Sequence, residues 1–169
     1  MATFKSEIIS NLEATPPVLN DISKHGGRVR IAMDNFALSA GVDEDDILHM
    51  VKLPSYAVVC SIWMQWSDLA SSGTVDIDVG LYNAATGVVV DSDCFGTDIS
   101  GSTISNTQKY EIILDNQNNM AKFGDQLWSF AGETADTGDD YYVSLTIDAA
   151  ASPDSGAEKI GFRIMYVID

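Results

Sequence analysis

The side chains whose types and spacing could do chemistry in this sequence are carboxylates: Asp76 with Asp78, Asp91 with Asp93, and the run Asp43-Glu44-Asp45-Asp46. Members of an Asp-x-Asp pair on an extended chain point to one side about 6.5–7 Å apart, a separation that suits a glycosidase pair or a calcium ion. The contiguous run is different, because neighbouring carboxylates rarely converge on one ion and calcium loops take ligands from alternate positions. It reads as a solvated turn. With 25 acidic residues in the chain such pairs also arise by chance, and both pairs read as the wet face of a strand. His49 is the one histidine of the body, since His25 sits beside Gly26 and Gly27; with no nucleophile or carboxylate motif next to it, it reads as structural. Cys60 and Cys94 have no metal-ligand spacing and read as reduced thiols of a chain folded in a reducing cytosol. No G-x-S-x-G, H-E-x-x-H, phosphate-loop or C-x-x-C motif occurs. The expectation is a protein that is not an enzyme and holds no cofactor and no metal.

The elements that position these groups are strands. In Thr74–Asn83, Val75, Ile77, Val79 and Leu81 alternate with Asp76, Asp78 and Gly80, the period-2 pattern of an antiparallel strand with one wet face. The turn N-A-A-T-G and the returning Val88–Val90 predict a hairpin over Leu81–Asp91. Further strands are predicted from Arg28 through Val29, Ile31 and Met33, and over Asp46–Leu53 with Ile47, His49, Val51 and Leu53 on one face. Others cover Tyr56–Trp66, Lys109–Leu114, Tyr141–Asp148 and Ile160–Ile168. Tyr56–Trp66 is apolar on both faces and predicts a central strand covered from two sides. Asp91–Asn106 reads as a long polar loop anchored only by Phe95 and Ile99. One short helix is expected, with Asp125 as N-cap, Trp128 as anchor, and Gly132 in the left-handed C-terminal conformation. About eight antiparallel strands with one short helix predict an all-β fold, a β-sandwich or jelly roll.

Two domains of behaviour follow from charge and composition. Residues 1–27 read as an extended N-terminal arm, because Pro16 and Pro17 stop any helix begun by Ile8, Ile9 and Leu12. Residues 28–169 read as the sandwich body. Up to residue 31 four basic side chains face three acidic ones, a balance of +1; beyond it five face 22, a balance of −17. Such a body repels nucleic-acid phosphates and anionic membranes, and no apolar run approaches the ~20 residues of a membrane span. No secretory leader is expected and the chain reads as soluble. The arm still carries Phe4, Ile8, Ile9, Leu12, Val18 and Leu19, more apolar surface than a merely disordered tail holds. Together with Lys5, Arg28 and Arg30, these are the residues expected to contact a partner.

Several segments, taken together, resemble virion structural proteins of tailed bacteriophages: T-P-P-V-L-N at Thr15–Asn20, G-G-R-V-R at Gly26–Arg30, K-L-P at Lys52–Pro54, D-I-D-V-G-L-Y-N-A-A-T-G-V-V-V-D-S-D-C-F at Asp76–Phe95, L-W-S-F-A-G, and M-Y-V-I-D at Met165–Asp169. They are similar to capsid decoration, or cement, proteins. The resemblance implies a homotrimer, made in the host cytoplasm, that binds the outer surface of the head and links neighbouring subunits of the major capsid protein. Two alternatives stay open. One is a head-fibre, neck or tail component; the other is a carbohydrate-binding β-sandwich using Trp63, Trp66, Tyr82, Tyr141 and Tyr142, with the acidic pairs as calcium sites.

Overall fold

The alternating runs of this chain can each bury one side only by facing another sheet, and they do so in a two-layer sandwich. The computed structural model describes residues 5–20, 25–37, 43–67, 69, 75–100, 110–112, 122–150 and 159–168. In chain order the elements are α1 (Glu7–Glu13), β1 (Val29–Ala37), β2 (Ile47–Pro54), β3 (Val58–Trp66), β4 (Val75–Asn83), β5 (Val89–Ser100), β6 (Tyr110–Ile112), α2 (Leu127–Phe130), β7 (Asp140–Ala150) and β8 (Lys159–Val167). One sheet has the order β1-β8-β3-β6 and the other β2-β7-β4-β5. All the paired neighbours are antiparallel. Because β1, β2, β3 and β4 alternate between the two sheets, this is the jelly-roll kind of sandwich.

The core lies between the inner faces. Val75, Ile77, Val79 and Leu81 of β4 meet Tyr141, Val143, Leu145 and Ile147 of β7, and Ile62, Met64, Trp66, Ile160, Phe162 and Ile164 close it from the other sheet. Each buried aliphatic side chain contributes roughly 1.5–3 kcal/mol. The predicted hairpin is present: Leu81 pairs with Asp91, the Asn83 side chain accepts from Ala85 and Thr86 N–H at 2.9 and 3.1 Å, and Gly87 takes the positive φ the turn requires.

Four expectations are corrected. Asp91–Ser100 is not loop: β5 runs to Ser100, and Cys94, Phe95 and Ile99 are buried. Three register shifts against β4 interrupt it, so its inward residues lose the period of two by which a strand is recognised; residues 101–106 lie outside the described residues. In β2 a bulge between His49 and Val51 splits the expected stripe, leaving Ile47 and His49 opposite Thr146 and Ser144 on the outside and turning Val51 and Leu53 toward Val143 and Tyr141. Helix α2 is anchored by the buried Leu127 and Phe130 rather than by the half-buried Trp128. Its N-cap is Gln126, while Asp125 Oδ2 accepts from Ser129 Oγ at 3.0 Å. Gly132 does hold the left-handed conformation, φ 79°. Finally, the arm is not extended throughout, since it contains α1, a second short helix.

Candidate interaction surface

The arm forms a small structure of its own. Ser6 caps α1, its Oγ accepting from Ile9 N–H at 3.4 Å, and Glu7 sits in the first turn, where the helix dipole favours a negative charge. Lys5 pairs with Glu13 across the helix. Beyond the two prolines the chain folds back: Val18 N–H donates to Asn11 O at 2.9 Å, and the Asn11 and Asn20 side chains join at 2.9 Å. Ile8 is turned toward the body, where it lines a cleft of about 400 Å³ with Val58, Val59, Cys60 and Phe123. The start of β3, apolar on both faces, thus meets the arm on its outer side. Ile9, Leu12, Val18 and Leu19 point elsewhere, with 42%, 48%, 51% and 95% of their surface exposed. Lys5, Arg28 and Arg30 are exposed as well, and Phe4 lies outside the described residues.

The outer face of the β1-β8-β3 layer continues from that cleft. Cross-strand pairing places Val29, Val167 and Val58 in one row, Ile31, Met165 and Ser61 in the next, then Met33, Arg163 and Trp63, and finally Asn35, Gly161 and Gln65. None of these twelve residues is a carboxylate, in a chain with 25. Val58 and Val167, beside the cleft, are buried, whereas Val29, Ile31 and Met33 are 53%, 56% and 70% exposed. The Arg163 guanidinium lies over the Trp63 ring, 4.9 Å from its centroid. In β1 the apolar side therefore faces out, and Arg30 and Asp34 occupy the other side, both exposed at the sheet edge.

The outer face of the second sheet has the opposite chemistry. His49 Nδ1 is 2.7 Å from Ser144 Oγ and its ring stacks on Tyr142 at 4.3 Å; Tyr82 OH is 2.7 Å from Thr146 Oγ1. These contacts hold the His49 ring in place on the sheet. Asp76, Asp78 and Asp148 share this face. Burial pushes the Asp78 carboxyl above its ordinary 3.8, and repulsion from Asp148, Asp93 and Asp98 adds to it, against the Asp98 N–H donated to Oδ1 at 2.9 Å. Burial and the neighbouring Asp93 raise Asp91 likewise. A carboxyl whose folded pKa is raised binds more protons folded than unfolded, so stability falls as pH climbs through the interval above 3.8. Asp78→Asn, which keeps the acceptor for Asp98 N–H, is expected to raise the melting temperature at pH 7. The gain should vanish below pH 3.8, where the aspartate is protonated in both states; melting curves of the two proteins across pH check this.

Among the described residues no group of three or more His, Cys, Asp or Glu is arranged to hold a metal ion, and no helix is long and apolar enough to cross a membrane. Of the aromatics a glycan platform would need, Trp66, Tyr82 and Tyr141 are buried.

No protein-family model matches the chain, and no curated protein matches it by sequence. Among solved structures, its fold is similar to that of a chain in the capsid of Ralstonia phage GP4, at 19% identity and TM-score 0.55 over 85% of this chain and 86% of that one. It is also similar to a chain in the cyanophage Pam1 capsid asymmetric unit, at 15% identity and TM-score 0.52, again over 85% and 86%. At these identities the likeness is one of fold.

Proposed function

We propose that the chain is a non-enzymatic structural component of a phage virion, and within that class a decoration, or cement, protein of a tailed-phage head. It binds the outside of the shell and links neighbouring major capsid subunits. The observation that carries this reading is the contrast between the two outer faces: across β1, β8 and β3 a partly exposed apolar surface without a carboxylate, continuous with the arm and bordered by Glu111 of β6, on one side, and an acidic surface on the other. The first suits burial against protein and the second suits water. The fold shared with chains of two phage capsids supports a place in a virion.

The function is linkage. A chain that touches several shell subunits only in their expanded arrangement stabilises that arrangement by mass action, and repeated copies add avidity. Removing residues 1–25 deletes Ile9, Leu12, Val18 and Leu19, of which burying two would supply about 3 kcal/mol, or ~100-fold in affinity. Heads assembled with the shortened protein are therefore expected to lose it on purification and to break at lower temperature. Full retention and unchanged heat resistance would refute the arm's part in attachment, and copies confined to one vertex would favour the neck or tail alternative.

A further inference from the structure

Sheet edges left open are pairing templates, and proteins blunt them with short strands, bulges, lysine and proline. Among the described residues three of the four edges are blunted in this way. Strand β6 has three described residues, β5 carries three register shifts, and β2 is bulged at His49/Val51, bears Lys52 in an ion pair with Asp140 at 2.8 Å, and ends on Pro54. The fourth, β1, has none of these devices. Its nine residues pair with β8 without a single shift, it holds neither lysine nor proline, and among the described residues no strand lies on its other side.

The sequence of β1 is also complementary to itself. Two copies laid antiparallel about a two-fold axis through Ala32 set Ile31 opposite the second copy's Met33 and Val29 opposite its Asn35, all on the outer face. On the reverse side Arg30 falls opposite the second copy's Asp34, and Asp34 opposite its Arg30. Directly opposed residues of an antiparallel pair share a face and come within about 5 Å at Cβ, so opposite charges there attract and like charges repel. The axis makes the contact isologous, so it closes at two copies.

The geometry points to a second copy of this chain as the occupant of the β1 edge, joining two four-stranded sheets into one eight-stranded sheet with a doubled apolar outer face. This pairing depends on β1 alone and does not rest on the shell reading. It is an alternative to the three-fold association that the resemblance implies.

Sedimentation equilibrium of the full-length chain at about 50 µM, where a dimer of micromolar affinity is filled, is expected to give twice the chain mass of 18.2 kDa. Arg30→Asp and Asp34→Arg each set two pairs of like charges in contact and are expected to weaken the dimer at least about 10-fold. Both residues are exposed, and circular dichroism is expected to show each variant folded. The double variant, which swaps the charges, is expected to regain the dimer. A monomer, a mass three times that of the chain, single variants that dimerise like the parent, or a double variant that stays apart would each overturn the pairing. A monomer that still binds heads would overturn it while leaving the shell reading intact.

Discussion

Gly80→Ala is expected to lower the melting temperature by roughly 6–12 °C, the shift that about 3 kcal/mol produces in a domain of this size. A Cβ built at Gly80 would lie 2.1 Å from Asp91 O, 2.3 Å from the Ser92 carbonyl carbon and 2.4 Å from Ser92 O. All three are backbone atoms, so no side chain can swing away to make room. The cause is the path of β5: Val79 pairs with Gly96 and Leu81 with Asp91, so a single residue of β4 stands against four of β5, Ser92 to Cys94 and Phe95. The excess backbone passes directly over Gly80. Overpacking a core site typically costs 1–3 kcal/mol, and more where the neighbour cannot yield. To accept the methyl, β5 would have to lift off β4, taking the buried Cys94 and Phe95 with it. Gly161 is the control, because its nearest neighbours to an added Cβ are 3.8 and 3.9 Å away; Gly161→Ala is expected to melt close to the parent. Thermal unfolding followed by circular dichroism compares the two, and equal melting temperatures would mean that β5 does not cross β4 at this point.

The same crossing explains what the sequence could and could not tell. Strands β4 and β8, and β7 as far as Ile147, are legible because each keeps a period of two, so that Ile77, Leu145 and Ile164 fall where alternation puts them. Strand β5 hides behind its bulges: Asp91, Ser92, Asp93, Gly96 and Asp98 have the composition of a loop, and only Phe95 and Ile99 betray the buried side. In β2 one extra residue at Met50 moves the inward side from even to odd positions, which no window of alternation can anticipate. The candidate interaction surface is half visible in the sequence. The arm's apolar residues stood out against its prolines, and Ser6 before Glu7 was a readable helix start that the prolines overshadowed. The face formed by Ile31, Met33 and Met165 was not visible, because alternation fixes which residues share a side and not which side meets the core. At an edge strand the polar side, Arg30 and Asp34, can overhang the facing layer while the apolar side turns out. A usable signal was present in the absence of any carboxylate from Val29-x-Ile31-x-Met33 and Gly161-x-Arg163-x-Met165-x-Val167 in so acidic a chain.

That face yields the largest expected effect on function. Ile31→Asp with Met33→Asp places two carboxylates on β1, in the part of the face formed by β1, β8 and β3 that has none, at side chains 56% and 70% exposed. Substitutions at such positions change stability by only about 0.5 kcal/mol each, so the variant is expected to fold and melt close to the parent. Attachment is another matter, since covering the face would desolvate two unpaired charges at several kcal/mol each, which lowers affinity by well over 100-fold. Mixed with heads stripped of the protein, the variant is expected to leave no copies on the purified particles when they are counted by densitometry. Both residues also belong to the β1 edge, so loss of the dimer could mimic loss of the face. Met165→Glu separates the two: it lies on β8, one strand in from the edge, in the same row as Ile31, and alters the face while leaving β1 untouched. It is expected to remain a dimer in solution and still fail to bind heads. A Met165→Glu protein that decorates heads as fully as the parent would show that the shell is held elsewhere, and would leave the arm as the sole contact.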